Sequence, residues 1–157
     1  MKEITLSKGY VATINNADYR LVSKRKWYAK PYRGRVYAMS SIWNPETKKT
    51  EKILMHRLIM NAVKGEEIDH RRGNGLDNRR RNLRRCTHSQ NIANQGPRKD
   101  NKCGTKGVRQ TREGNWQAYL TFDGKLRCLG TYKKKSVAAK VYAAKVKEVR
   151  GDFARVA

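Results

Sequence analysis

Hydrophobic and polar positions alternate over short runs through the first third of the chain, and turn-forming residues close most of the runs. I-T-L (4–6), Y-V-A-T-I (10–14), W-Y-A-K (27–30), R-V-Y-A-M-S-S-I-W (35–43) and K-I-L-M (52–55) are rich in β-branched and aromatic residues, which predicts strands. N-A-D-Y-R-L-V-S, opening at Asn16, predicts a helical turn that its Asn caps, and Asn-Pro in W-N-P-E-T-K-K-T predicts a turn between two strands. From Leu54 to Ala62 the apolar residues fall at 54, 55, 58, 59 and 62, the spacing of a helix with one buried face. Residues 1–62 therefore read as a small β-rich platform.

Beyond the platform, the pattern predicts a short strand ending at Asp69-His70 and a loop marked by Gly73 and Gly75. A second strand near Leu83–Thr87 and a helix opening around His88 follow. Such a ββα unit over 66–95 has too few apolar residues for its own core, so it must lean on the platform. Q-G-P-R-K-D-N-K-C-G then carries Gly, Pro and charge without periodicity, and a linker is expected at 96–103. In the last segment, 104–157, three strand-like runs are separated by R-E-G-N and F-D-G-K, and Asp-Gly is a strong hairpin signal. Trp116, Ala118, Leu120 and Phe122 alternate with Gln117, Tyr119 and Thr121, which makes one sheet face apolar and the other polar. A helix over 136–150, with Val137, Ala138, Val141, Tyr142, Ala144, Lys145 and Val149 as its stripe, is expected to cover the apolar face and to end at Gly151. The fold class is α+β.

Charge narrows the partner. Thirty-seven Lys and Arg against thirteen Asp and Glu leave +24, spread as +8, +6 and +10 over residues 1–50, 51–100 and 101–157. A chain basic along its whole length attracts polyanions, and nucleic acid is the expected partner. No apolar run approaches the roughly 20 residues of a membrane span, and the N-terminus has no apolar leader, so a cytoplasmic location is expected. Cys86, Cys103 and Cys128 form no C-x-x-C pair and read as small packing residues.

The stretch from Ile68 to Asn91 carries the chemistry: Asp69 and His70 stand in the spacing H-x11-N-x8-N with Asn82 and Asn91, among arginines. Hydrolysis of a phosphodiester needs a base, charge stabilisation and help for the leaving 3′ oxygen. An imidazole with an ordinary pKa near 6.5 suits His70 as base. Asp69 and Asn91 offer hard oxygen donors to one Mg²⁺ or Mn²⁺, an ion that keeps water and phosphate in its shell. Asn82, donor and acceptor at once, can fasten the loop. Arg71, Arg72, Arg79, Arg80, Arg81, Arg84 and Arg85 are expected to grip the DNA backbone. His56, on the apolar-periodic helix, reads as a packed residue and His88 as a helix-start or phosphate-contacting one; neither is assigned to catalysis.

Asp69, His70, Gly73, Asp77, Asn78, Arg79, Asn82, Leu83, Arg84, Ser89 and Asn91 resemble the HNH endonuclease motif, in its phage and intron-associated branch. The resemblance spans about residues 1–95. It implies His70 as general base, Asn82 as the loop-orienting residue, and Asp69 with Asn91 as metal ligands. Arg71-Arg72 stands where many relatives carry Ile-Asn. Residues 104–157 resemble the AP2 DNA-binding domain, through K-G-V-R (106–109), Trp116 with Ala118, L-G-T-Y (129–132), the alanine-rich helix and the ending G-D-F-A-R-V. That resemblance implies a three-stranded antiparallel sheet on one helix, entering the major groove. Lys106 and Arg109 lie at DNA-touching positions, and Gln117, Tyr119 and Thr121 on the polar face.

Together these readings give a homing-type, metal-dependent DNA endonuclease. It is a monomer in solution able to pair on DNA, with duplex DNA as partner and no small-molecule cofactor. A catalytically inactive sequence-specific DNA-binding regulator is the alternative, and an RNA-binding basic protein a third reading.

Overall fold

The computed structural model describes residues 1–32, 34–97 and 100–154. The closing Arg155-Val156 of the AP2-like ending, and Arg98-Lys99 of the expected linker, lie outside them. The chain is α+β and divides into two compact units, Met1–His88 and Ser89–Ala157.

In the first unit, β1 (Lys2–Thr5) and β2 (Val11–Ile14) form an antiparallel pair, followed by the short helix α1 (Tyr19–Val22). No side-chain cap opens this helical segment; Asn15 instead accepts the backbone N–H of Arg80 at 2.8 Å. The cap expected of Asn16 does not form, and its neighbour Asn15 ties this turn to a distant loop. A three-stranded antiparallel sheet follows: β3 (Tyr28–Tyr32), β4 (Arg35–Asn44) and β5 (Lys49–Leu54), in that order. The helix expected over Leu54–Ala62 is shorter, α2 (Met55–Ile59). Leu54 is claimed by the sheet, where it pairs with Met39, and Asn61 takes the left-handed conformation (φ 47°), which ends the helix. A two-stranded ribbon, β6 (Glu67–His70) and β7 (Leu83–Cys86), completes the unit.

One apolar cluster holds these pieces together. Ile14, Val22, Ala38 and Met55 are fully buried in it, with Ile68 from β6 and Leu83 from β7. The ribbon therefore shares the platform's core. The edge of β2 also grips the loop between β6 and β7: Thr13 donates its N–H to Leu76 (2.9 Å) and accepts that of Asn78 (2.8 Å). Gly75 lets the loop lie against β4, since a Cβ there would come within 2.5 Å of the Val36 carbonyl and 2.7 Å of the Tyr37 ring.

α3 (His88–Ala93) begins at the last residue of the first unit; the second unit carries a three-stranded antiparallel sheet ordered β10–β9–β8: β8 (Val108–Gln110), β9 (Trp116–Phe122) and β10 (Lys125–Tyr132). The helix α4 (Lys135–Arg150) packs on it and stops at Gly151, whose φ is 49°. Ala118 and Leu120 face the core with Val108, Ala138, Tyr142 and Val146. The buried stripe of α4 is narrower than expected: Ala138, Tyr142 and Val146, each four residues apart, make it. Val137 and Val149 lie off this line and are exposed, as is Ala144. Of the three cysteines, Cys86 and Cys103 are half-buried, whereas Cys128 is exposed on the sheet opposite Tyr119, so packing does not explain it.

Gly107 sits at φ +69°, and a Cβ there would fall 2.0 Å from the buried ring of Tyr142. Gly107→Ala combines overpacking with left-handed strain and is expected to destabilise the second unit by about 2–5 kcal/mol. Urea unfolding followed by Trp116 fluorescence checks this; an unchanged midpoint contradicts it. Among the described residues no helix is long and apolar enough to cross a membrane.

Candidate active site

The β6–β7 ribbon sets the site's first pair by register. Asp69 lies opposite Arg84, and cross-strand neighbours share a face at about 5 Å between Cβ atoms. Both are buried, and Arg84 donates from Nε (2.9 Å) and Nη2 (2.7 Å) to the same oxygen, Asp69 Oδ2. The sequence reading places Arg84 in a surface grip on DNA. With 7% of its surface exposed, it is instead the internal counter-ion of Asp69.

His70 follows Asp69 and, by strand alternation, leaves the ribbon on the other side. Its ring stands edge-on to His56, with centroids 4.8 Å apart, and lies 5.9 Å from the Tyr37 ring. Asn78 Oδ1 is 3.3 Å from His70 Nε2. The Asn78 amide has its orientation set from the other end, because Nδ2 donates to the Leu76 carbonyl at 3.2 Å. The atom facing His70 is then an acceptor, which favours the tautomer with the ring proton on Nε2. Burial lowers the His70 pKa, assisted by Arg35 and opposed by the Asn78 hydrogen bond, Asp69 and Asp77. The imidazole is neutral at physiological pH.

His56 is buried beside it, and burial, His70 and Arg57 push its pKa down to about 3. The unfolded chain, with an ordinary histidine pKa near 6.5, binds the proton that the folded one refuses. Stability is therefore complete above about pH 6.5 and is lost as pH falls toward 3, by about 2 kcal/mol at pH 5 for His56 alone. His70 adds in the same direction. Urea midpoints at pH 7 and pH 5 test this, and His56→Phe should flatten the dependence; equal midpoints in the parent chain contradict it.

The loop from 71 to 82 is stapled by Asn82. Its Oδ1 accepts the N–H of Arg72 (3.0 Å), its Nδ2 donates to the Asp77 carbonyl (2.7 Å), and its own carbonyl accepts the N–H of Arg71 (2.8 Å). Asn82 thus touches backbone across the whole loop and keeps the end of β6 in place. The other arginines separate into two groups. Arg79 forks onto Asp77, with both contacts at 2.6 Å, Arg80 onto the buried Asp18, and Arg85 pairs with Glu66. Arg71, Arg72 and Arg81 are exposed. His88 is exposed and 2.6 Å from Glu67, so a carboxylate rather than a phosphate is its partner here.

The sequence of this chain is similar to that of a protein named as an HNH endonuclease. The relative is an uncharacterized HNH endonuclease of Acanthamoeba polyphaga mimivirus, 28% identical over 153 residues, which cover 94% of this chain and 74% of the relative. That likeness supports an HNH nuclease family. No family model matches the chain, and no solved structure matches it significantly.

The remaining expected residues lie in the second unit. Asn91 is half-buried on α3. Lys106, expected on DNA, donates at 2.6 Å to the carbonyls of Ala93 and Gln95 and so secures the end of α3. Arg109 is exposed and pairs across the sheet with Gln117, whose Oε1 accepts from Nε (2.8 Å) and Nη2 (2.6 Å). The same guanidinium lies 5.4 Å from the Tyr119 ring centroid. Arg109, Gln117, Tyr119 and Thr121 share one face, opposite the buried Ala118 and Leu120.

Three residues beside His70 carry no role in the sequence reading: Asn78, Tyr37 and Arg35. Asn78 was legible as part of D-N-R but without a function. Its fully buried amide and its contact with the base come from the loop folding back along β2.

Proposed function

We propose that this HNH-related chain is a divalent-metal-dependent DNA endonuclease of the homing type, with His70 as general base. The observation that carries this reading is the environment of His70: neutral, buried, with Nε2 held by Asn78, at the end of β6 beside a loop stapled by Asn82. Nδ1 then takes the proton of the attacking water, while Asp69 offers a carboxylate oxygen to one Mg²⁺ or Mn²⁺. When bound, that ion supplies charge stabilisation to the phosphate and the leaving oxygen.

The chemistry of the donors fits such an ion. Asp69 is a buried carboxylate paired with Arg84, and among the described residues no group of three or more His, Cys, Asp or Glu gathers as a cage. A carboxylate donor suits a hard cation that keeps most of its shell as water and phosphate. Because Arg84 already neutralises Asp69, DNA phosphate must supply the balancing charge. Mn²⁺ is therefore expected to bind the isolated chain weakly and at least tenfold more tightly with DNA present, as read by electron paramagnetic resonance; equal affinities contradict this.

The face of Arg109, Gln117, Tyr119 and Thr121 fits the AP2-like reading, in which the second sheet chooses the site. A β-surface with cationic and amide donors can read base edges in a major groove. End-labelled host-locus duplex incubated with the protein in Mg²⁺ tests the whole reading. Cuts at fixed positions on one or both strands, absent in EDTA, are expected. Protection of a fixed site without any cut supports the inactive regulator instead.

A further inference from the structure

The β3–β4–β5 sheet sorts its residues by face. Ala29, Ala38 and Ser40 point into the core. The register puts Tyr28, Lys30 and Tyr32 of β3 on the other face, with Arg35, Tyr37 and Trp43 of β4 and Lys52 of β5. Lys30, Tyr32, Trp43 and Lys52 are exposed, Trp43 by 59% and Tyr32 by 55%. Among the described strand positions this face carries three cations and no carboxylate, whereas Glu51 lies on the reverse side with Ile42. Past Ser40, β4 and β5 are exposed on both faces out to the turn, save for a half-buried Asn44, so the sheet ends as a two-stranded ribbon.

Tyr37 joins this face to His70, its ring 5.9 Å away, and Arg35 acts electrostatically on the same imidazole. From Tyr37 to Trp43 the strand advances six residues, about 20 Å at 3.3 Å per residue. That matches about six base pairs at 3.4 Å each. An exposed tryptophan in a charged strand marks a contact surface, since such side chains are usually mostly buried. A two-stranded ribbon also fits the width of the major groove.

We propose that this open face, ending in the β4–β5 ribbon, is a second duplex-DNA surface, distinct from the sheet of the second unit. It seats the DNA that flanks the phosphate at His70. The proposal builds on the nuclease reading, and its occupant is chosen by charge: a cation-only face continuous with a phosphate-cutting site takes DNA. Lys30, Arg35 and Lys52 meet the backbone while Tyr32 and Trp43 lay apolar rings against sugar and base edges.

The test is binding of the full chain to duplex DNA in EDTA, followed by fluorescence anisotropy against salt. Lys30→Ser with Lys52→Ser should make the log-log salt slope shallower by about 2, near 0.9 per lost phosphate contact. Tyr32→Ser with Trp43→Ser should weaken binding about tenfold at an unchanged slope. Lys24→Ser with Lys64→Ser, exposed lysines elsewhere, should leave the slope as it is. Parent-like binding by both face variants, an equal slope change in the control, or tighter binding of duplex RNA than of DNA would each overturn the proposal. Because binding is read without cleavage, a shallower slope in a chain that never cuts DNA sustains this surface and removes only the nuclease reading.

Discussion

Replacing His70 with alanine is expected to slow DNA cleavage by about 10²–10⁴-fold, the usual contribution of a positioned general base. The size of the effect follows from the site. His70 is buried, Asn78 Oδ1 lies 3.3 Å from its Nε2, and burial lowers its pKa, so the imidazole is neutral at neutral pH, as the proposed base must be. The imidazole also fills space between His56 and Tyr37. His70→Gln keeps most of that volume without a comparable base and should lose the same activity with less loss of stability. Single-turnover cleavage of both variants under Mg²⁺ is the check, with circular dichroism to show that they fold. A variant cleaving within threefold of the parent rate would remove His70 from the chemistry.

Arg84→Ala carries the largest expected effect on stability, about 3–5 kcal/mol, because it strands a buried carboxylate. An arginine that only touches DNA from the surface would change stability by no more than about 0.5 kcal/mol. The two roles are thus separated by urea unfolding alone. Arg84→Met combined with Asp69→Leu should recover much of the loss, since an apolar pair of similar volume often replaces a buried ion pair without penalty. A midpoint for Arg84→Ala equal to that of the parent would contradict the buried pairing.

Local patterns made the strands legible. β-Branched and aromatic content located β4, period-two alternation located β9, and Asp-Gly located the turn between β9 and β10. What local patterns miss is competition between elements. Leu54 suits the helix by period but is held by its partner strand, and Val137 suits the α4 stripe until the line through Ala138, Tyr142 and Val146 is fixed by the sheet beneath.

The candidate site divides in the same way. Residue types and spacing single out Asp69, His70, Asn82 and Asn91 as candidates. Partner choice was hidden, because it depends on register across a loop twelve residues long, 71–82. Seven arginines look alike in sequence. Register turns Arg84 into a counter-ion, loop folding gives Arg79 to Asp77 and Arg80 to Asp18, and Arg71, Arg72 and Arg81 remain exposed. Lys106 is a similar case, since its carbonyl partners come from a preceding segment. The cationic face of the first sheet was hidden for a different reason. Its residues come from three strands and become one surface only when paired.

The proposed activity is hydrolysis of DNA with a divalent ion. Its most direct test is a time course of the purified protein with supercoiled plasmid in Mg²⁺, followed on an agarose gel. Supercoiled DNA is expected to disappear into nicked or linear forms, with nicks that DNA ligase reseals because release of the 3′ oxygen leaves 3′-hydroxyl and 5′-phosphate ends. Plasmid that is retarded by bound protein, yet remains supercoiled in Mg²⁺ and in Mn²⁺ alike, would contradict it.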